Sequence, residues 1–143
     1  MPGGPHLLSV VLVNNRREIA RLLHLAEEFG RSAGLVEDDT ADVNLLLDEF
    51  VSNVIKYGYD DTLEHQIQVD VKLEGRHLTV RIEDDGKAFN PLEAPAPDLD
   101  RPVEERPIGG LGIFIARTLA DSIEYRREDG RNILTMTKTA RAR

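Results

Sequence analysis

The sequence predicts an α+β fold, a two-layer sandwich in which a mixed, mostly antiparallel sheet is covered on one face by helices. Strand-like segments come in adjacent pairs joined by short turns, 67–73 with 78–82 and 122–127 with 132–139. Helical periodicity is confined to separate stretches, 16–33, 39–57 and 110–120. The strand-helix-strand alternation of a doubly wound parallel sheet is missing.

The first element is a strand, Leu7 to Val13, broken by Asn14 and Asn15. From Arg16 to Ala33, Ile19, Leu22, Leu23, Ala26 and Phe29 recur at helical spacing, and Gly34 closes the helix. A second helix starts near Asp39 or Thr40, where Glu37, Asp38, Asp39 and Asp42 suit the positive end of the helix dipole. Its apolar stripe is Val43, Leu46, Leu47, Phe50, Val54 and Tyr57, and Gly58 ends it. Ile67, Val69, Val71 and Leu73 then alternate with polar residues, as do Leu78, Val80 and Ile82, with Glu74-Gly75-Arg76 as the hairpin turn. Glu93 to Pro107 holds Pro95, Pro97, Pro102 and Pro107 among acidic residues, so it reads as a long loop. A third helix runs from Gly110 to Ala120. Strands Ser122–Arg127 and Asn132–Thr139 flank a turn at Asp129-Gly130, and the tail Ala140 to Arg143 is expected to fray.

The 143 residues suit a single domain over 1–143, and 41% hydrophobic residues are enough for a core at that size. There is no cysteine, which excludes disulfides and thiolate metal sites and fits a cytoplasmic location. No signal peptide and no apolar run of about 18 residues is present, so no membrane association is expected. A net charge of −8 and a pI near 5.0 argue against nucleic-acid binding through a basic footprint. An anionic ligand would have to be held locally, by backbone amides, a metal ion or a lysine.

Three motifs carry candidate chemistry. Glu49 and Asn53 are four apart, on one helix face, and Lys56 continues that line along the flank of the apolar stripe. These residues read either as a solvated helix edge or as a base, a metal ligand and a phosphate contact. Asp84-Asp85-Gly86-Lys87-Ala88-Phe89 begins where a strand ends. It reads either as an ordinary Asp-Gly turn or as a fixed carboxylate able to accept a hydrogen bond from an exocyclic amine, with a glycine that lets a base approach the backbone. Ile108-Gly109-Gly110-Leu111-Gly112 leads into a helix. It reads either as a hinge or as a phosphate-binding helix N-terminus, and it matches neither a Walker A loop nor a Rossmann fingerprint. His6, His24, His65 and His77 show no metal-ligand spacing.

Taken in order, the three motifs resemble the N, G1 and G2 boxes of the GHKL ATPase superfamily, most closely those of the anti-sigma factor serine/threonine kinases. The N-box likeness rests on Leu47 to Tyr59 (LDEFVSNVIKYGY) and the G2 likeness on Ile108 to Ala116 (IGGLGIFIA). The resemblance covers nearly the whole chain and implies a GHKL, or Bergerat-type, fold that binds ATP and Mg²⁺. It implies Asn53 as the Mg²⁺ ligand, Glu49 as the catalytic base, Asp84 as the contact to the adenine amine and Gly86 as room for the base. Lys56 and Tyr57 would approach phosphate and adenine. Gly109, Gly110, Leu111 and Gly112 would hold phosphates beneath a lid at about 93–108. Two positions depart from the superfamily pattern. Ala88 stands where many members carry a second glycine, as in many anti-sigma kinases. The strand after the last turn offers Asn132, with Thr135 and Thr137 nearby, where many members carry a threonine.

The chain carries neither a helix with a phospho-acceptor histidine before the N box nor a transducer domain after the G2 box, which disfavours a histidine-kinase core and a gyrase-type ATPase. The expected function is phosphorylation of a STAS-domain anti-anti-sigma-like partner in a partner-switching system, with a sigma factor as a possible further partner and a homodimer as a possible state. The alternative is a nucleotide-dependent binding module without phosphotransfer. Glu49 favours the kinase, since a pure binder needs no base.

Overall fold

The computed structural model describes residues 4–93 and 110–142. Its strands are β1 (His6–Val13), β2 (Gln66–Glu74), β3 (His77–Asp84), β4 (Ser122–Glu128) and β5 (Arg131–Thr139), and its helices are α1 (Arg17–Ala33), α2 (Glu37–Tyr57) and α3 (Gly110–Leu119). The strands form one sheet in the order β1-β2-β3-β5-β4, and all four pairings are antiparallel. The expected mixed sheet is therefore antiparallel throughout the described residues. Short turns dictate two of the pairings, β2–β3 and β4–β5, since neighbours joined by two residues can only run in opposite directions. Gly75 has φ +63°, and Asp129 and Gly130 have φ +51° and +75°, the left-handed pair that a two-residue hairpin matching the strand twist requires.

Alternation sorts the sheet into two faces. Leu12, Ile67, Val69 and Val71 are wholly buried beneath the helices. On them lie Leu22 and Ala26 of α1, Leu46, Leu47, Phe50 and Val51 of α2, and Ile113 and Ala116 of α3, all members of one core. Each large aliphatic side chain so buried contributes about 1.5–3 kcal/mol. The opposite face is mostly polar, with Leu7 and Val11 exposed among its polar residues, Ser9 donating to Asp70 at 2.6 Å and Glu83 receiving both Arg81 at 2.7 Å and Arg131 at 2.6 Å.

Helix ends follow local chemistry. Gly34 caps α1 in the left-handed region at φ +78°. Helix α2 begins at Glu37, earlier than Asp39, so Glu37, Asp38 and Asp39 all lie in its first turn. The tail is tied down where fraying was expected. Ala140 donates its N–H to Arg76 at 2.6 Å, and Arg141 donates its N–H to Asp39 at 2.7 Å. The proposed lid falls almost wholly outside the described residues; of it, Glu93 closes a short 3₁₀ turn, Pro91–Glu93. No helix among the described residues is long and apolar enough to cross a membrane.

Candidate functional site

Strand register creates the site. Asp84 is the last residue of β3, and the pairing sets it directly opposite Asn132 of β5. Both occupy the helix-covered face, at the end of rows that otherwise carry Val80 and Ile82 on β3 and Met136 and Leu134 on β5. Two buried polar side chains where apolar ones would fit cost stability unless they are hydrogen-bonded. They are. Asn132 Nδ2 donates to Asp84 Oδ1 at 3.0 Å and to the Lys87 carbonyl at 2.8 Å. Asn132 Oδ1 accepts from the Tyr125 hydroxyl at 2.5 Å and from Arg127 Nη1 at 3.1 Å. All four hydrogen-bonding positions of the carboxamide are used, so its orientation is fixed.

Asp84 Oδ1 also accepts the Gly86 N–H at 2.8 Å. Burial pushes the Asp84 carboxyl up from the ordinary range, against the bonds from Asn132 and Gly86 that pull it down. Both of those bonds fall on Oδ1. Gly86 has a steric reason inside the protein. A Cβ there would lie 2.6 Å from the Gly58 carbonyl oxygen and 2.9 Å from Asp84 Oδ1, so only glycine lets the turn close against the end of α2. The Lys87 N–H donates to that same carbonyl at 2.7 Å.

Above Asp84 and Asn132 lies a cavity of about 280 Å³. Phe50, Val54, Ile82, Ala88, Phe89 and Leu134 form its apolar walls, and Asn53, Tyr57, Asp84, Tyr125 and Asn132 its polar or mixed ones. A largely apolar cleft with a few fixed polar groups at one end suits a flat heteroaromatic ligand held by its edge. Of the residues singled out in the sequence, Asn53, Tyr57 and Asp84 line the cavity together. Lys56 is exposed and stands outside its walls.

Glu49 lies one turn before Asn53, outside the cavity walls and against the start of α3. A Cβ at Gly112 would overlap the Glu49 carboxylate, so Gly112 is the residue that lets α3 approach it. Burial and the charge of Asp48 raise the Glu49 carboxyl above its ordinary value, and Lys56 opposes them. Asn53 Nδ2 donates back to the Glu49 carbonyl at 2.5 Å, which leaves Oδ1 as the acceptor atom of that amide. Gly109 lies outside the described residues. Gly110 and Leu111 open α3, whose first-turn N–H groups are unpaired within the helix and favour an anion.

Tyr125, Arg127 and the saturated state of Asn132 were missed from sequence. The signal was available: Ile123, Tyr125 and Arg127 share a face, as do Met136, Leu134 and Asn132, and each apolar row turns polar at the end where Asp84 sits.

An antiparallel sheet covered by helices thus holds an apolar cleft between α2 and the β3–β5 pair, with a buried aspartate at its base. The chain belongs to the histidine kinase-like ATPase domain family, whose match covers residues 12–138. It is 28% identical over 95 residues to the serine/threonine-protein kinase BtrW of Bordetella bronchiseptica, covering 66% of this chain and 67% of that one. It is 28% identical over 109 residues to the serine-protein kinase RsbW of Bacillus mycoides, covering 73% of this chain and 67% of that one. The fold is similar to that of the RsbU and RsbW domains of Rv1364c from Mycobacterium tuberculosis, with a TM-score of 0.69 at 19% identity over 94% of this chain. This chain spans about a third, 32%, of that structure.

Proposed function

We propose that the chain binds MgATP in this cavity and is a protein serine/threonine kinase of the anti-sigma factor type, acting in the cytoplasm on a STAS-domain anti-anti-sigma-like partner. The observation that carries the reading is the set of groups brought to one cleft: a buried, pre-oriented Asp84 at its base, Asn53 on its wall, and Glu49 one turn away against the N-terminal turn of α3. Both named relatives are protein kinases acting on serine or threonine, which supports the same reaction class here.

The residues fit the ligand. Asp84 Oδ2 would accept the adenine amine, since Oδ1 is taken by Asn132 and Gly86. Phe50, Ile82 and Leu134 would cover the faces of the base. Among the described residues no group of three His, Cys, Asp or Glu side chains converges to hold a metal. A single amide ligand, Asn53 Oδ1, matches Mg²⁺, which is commonly held by one or two protein groups together with substrate phosphates. The first turn of α3 would receive phosphate oxygens through its free N–H groups. Bound MgATP would supply the transferred phosphoryl group.

Glu49 would accept the proton from the partner's serine or threonine hydroxyl. A carboxyl raised by partial burial is a better base than an exposed one. The test is transfer of labelled phosphate from ATP to a STAS-domain partner. Wild type transfers. Glu49→Gln binds MgATP and partner as wild type does and transfers about 10²- to 10⁴-fold more slowly. Transfer at the wild-type rate by the variant would move the base elsewhere, with neighbouring Asp48 next. A wild type that binds the partner in a nucleotide-dependent way and never transfers would make the chain a binding module.

A further inference from the structure

The segment between α2 and β2, residues 58–65, packs against the turn that follows Asp84, and His65 is at the contact. One ring nitrogen, Nε2, is 2.8 Å from Asp61 Oδ1, and the other, Nδ1, is 3.1 Å from Asp85 Oδ1. Asp61 is on the same segment; Asp85 is next to Asp84 on the turn. A neutral imidazole has one N–H and one lone pair, so it can satisfy only one of two carboxylates. Only the doubly protonated ring can donate to both carboxylates at once. The Tyr59 ring stacks on His65 at a centroid distance of 4.2 Å and 17° between planes. The backbone of His65 is fixed to the end of β1: its N–H donates to Asn14 Oδ1 at 2.9 Å, and its carbonyl accepts the Asn14 N–H at 3.0 Å.

We infer that His65 is a positioning residue for the nucleotide site: its imidazolium clamps the 58–65 segment to the Asp84–Lys87 turn, and adenine-nucleotide binding depends on that charge. The inference rests on the nucleotide reading of the Asp84 cavity. Two consequences of the clamp reach the cavity. It fixes Asp85, and through it the turn whose Gly86 N–H and Lys87 carbonyl position Asp84 and Asn132. It also offsets charge. Asp60, Asp61, Asp84 and Asp85 gather at this corner, where the facing cations are His65, Lys87 paired with Asp60 at 3.0 Å, Arg131 near Tyr59, and Arg127, which donates to the Gly86 carbonyl at 2.7 Å and offsets Asp84. Neutralising His65 leaves that corner more negative, which opposes a polyanionic ligand.

The two carboxylates raise the His65 pKa, Asp61 most through its hydrogen bond. With the folded value above the ordinary one, the clamp is fully formed below about pH 6.5 and opens as pH rises through the folded value.

Two measurements test this. The first is nitrogen-detected NMR titration of the His65 ring in the nucleotide-free protein. It should show both nitrogens protonated at pH 6 and a midpoint above 6.5 that falls in Asp85→Asn. A midpoint at or below 6.5, or one indifferent to Asp85→Asn, overturns the clamp whatever the cavity binds. The second is calorimetry with MgATP from pH 6 to 9 on wild type and His65→Gln. At pH 6 the variant should bind about two- to fivefold more weakly, and the gap should close as wild type loses its own charge toward pH 9. Ionisation of ATP itself affects both proteins alike and cancels in the comparison. Equal affinities at pH 6, or a gap that persists at pH 9, overturns the dependence of binding on the charge. A wild type that binds no MgATP at any pH, with the NMR titration as expected, overturns the nucleotide reading and leaves the clamp standing.

Discussion

Helix α2 treats its two ends differently. At its N-terminal end Asp39, fully buried, accepts the Arg141 backbone N–H at 2.7 Å and the Arg141 guanidinium, while Asp42 takes Arg141 and Lys138, each at 3.2 Å. The two aspartates that face the tail, Asp39 and Asp42, are both paired, and the C-terminal tail is tied down by them. In its C-terminal half Asn53 and Tyr57 face a cavity, and Glu49 is raised by burial. Just past its end the buried Tyr59 hydroxyl has no partner among the described residues. One end holds the helix and the other lines the cavity proposed to take the nucleotide. On that reading the anchoring and ligand-facing side chains are separated along the 21 residues of one helix, so substitutions at the two ends should fail in different assays.

The largest effect is expected at the anchored end. Asp39→Ala removes a buried carboxylate and leaves the Arg141 N–H without its acceptor, which costs about 2–3 kcal/mol. Thermal unfolding should show the loss as a drop of several degrees, and MgATP affinity measured well below the new midpoint should equal that of wild type. A variant with wild-type stability would mean the tail does not hold α2. At the open end Asn53→Ala should do the reverse, weakening MgATP by about tenfold or more in calorimetry while leaving the unfolding midpoint near that of wild type. Unchanged affinity would remove Asn53 from the metal role. A shared loss of stability in both variants would erase the distinction between the ends.

Much of this division was legible in the sequence, and the part that was not has a physical reason. The stripe Val43, Leu46, Leu47, Phe50 gave α2, and the four-residue spacing gave the common face of Glu49 and Asn53, because helical periodicity is a local property. Asp84 was found because a strand pattern ran straight into an acidic turn. The two pairings that complete the picture are non-local. Arg141 meets Asp39 across 102 residues, and Asn132 meets Asp84 across 48. Composition marks Ala140–Arg143 as a polar end and says nothing of a buried aspartate waiting for it. His65 was set aside as a scattered histidine because Asp61 and Asp85 become its partners only when the 58–65 segment folds onto the turn. Register, once β3 and β5 are paired, supplies what spacing along the chain could not.

A second anchor, at the start of α1, gives the smallest effect. The Glu18 carboxylate accepts the Val13 N–H at 3.0 Å and the Arg21 guanidinium at 2.9 Å, and Arg21 reaches on to the Val11 carbonyl at 2.9 Å. The bond from Arg21 and that from the Val13 N–H hold the Glu18 carboxyl down to about 2, against an ordinary value of 4.5. The folded value is the lower one, so the ionised anchor contributes stability in full above pH 4.5. That contribution is lost as pH falls from 4.5 toward 2, where folded and unfolded chains both carry the proton. Glu18→Gln has no charge to titrate. The stability difference between wild type and Glu18→Gln, read from urea midpoints, should stay level from pH 7 to about 5 and shrink steadily below 4.5. Other carboxylates also titrate there, but they are common to both proteins and drop out of the difference. A difference that stays the same from pH 7 to 3 would mean the anchor works through shape alone, without its charge. MgATP affinity should be the same in both proteins at pH 7, because this anchor ties α1 to β1, and Glu18, Arg21, Val11 and Val13 are all absent from the cavity walls.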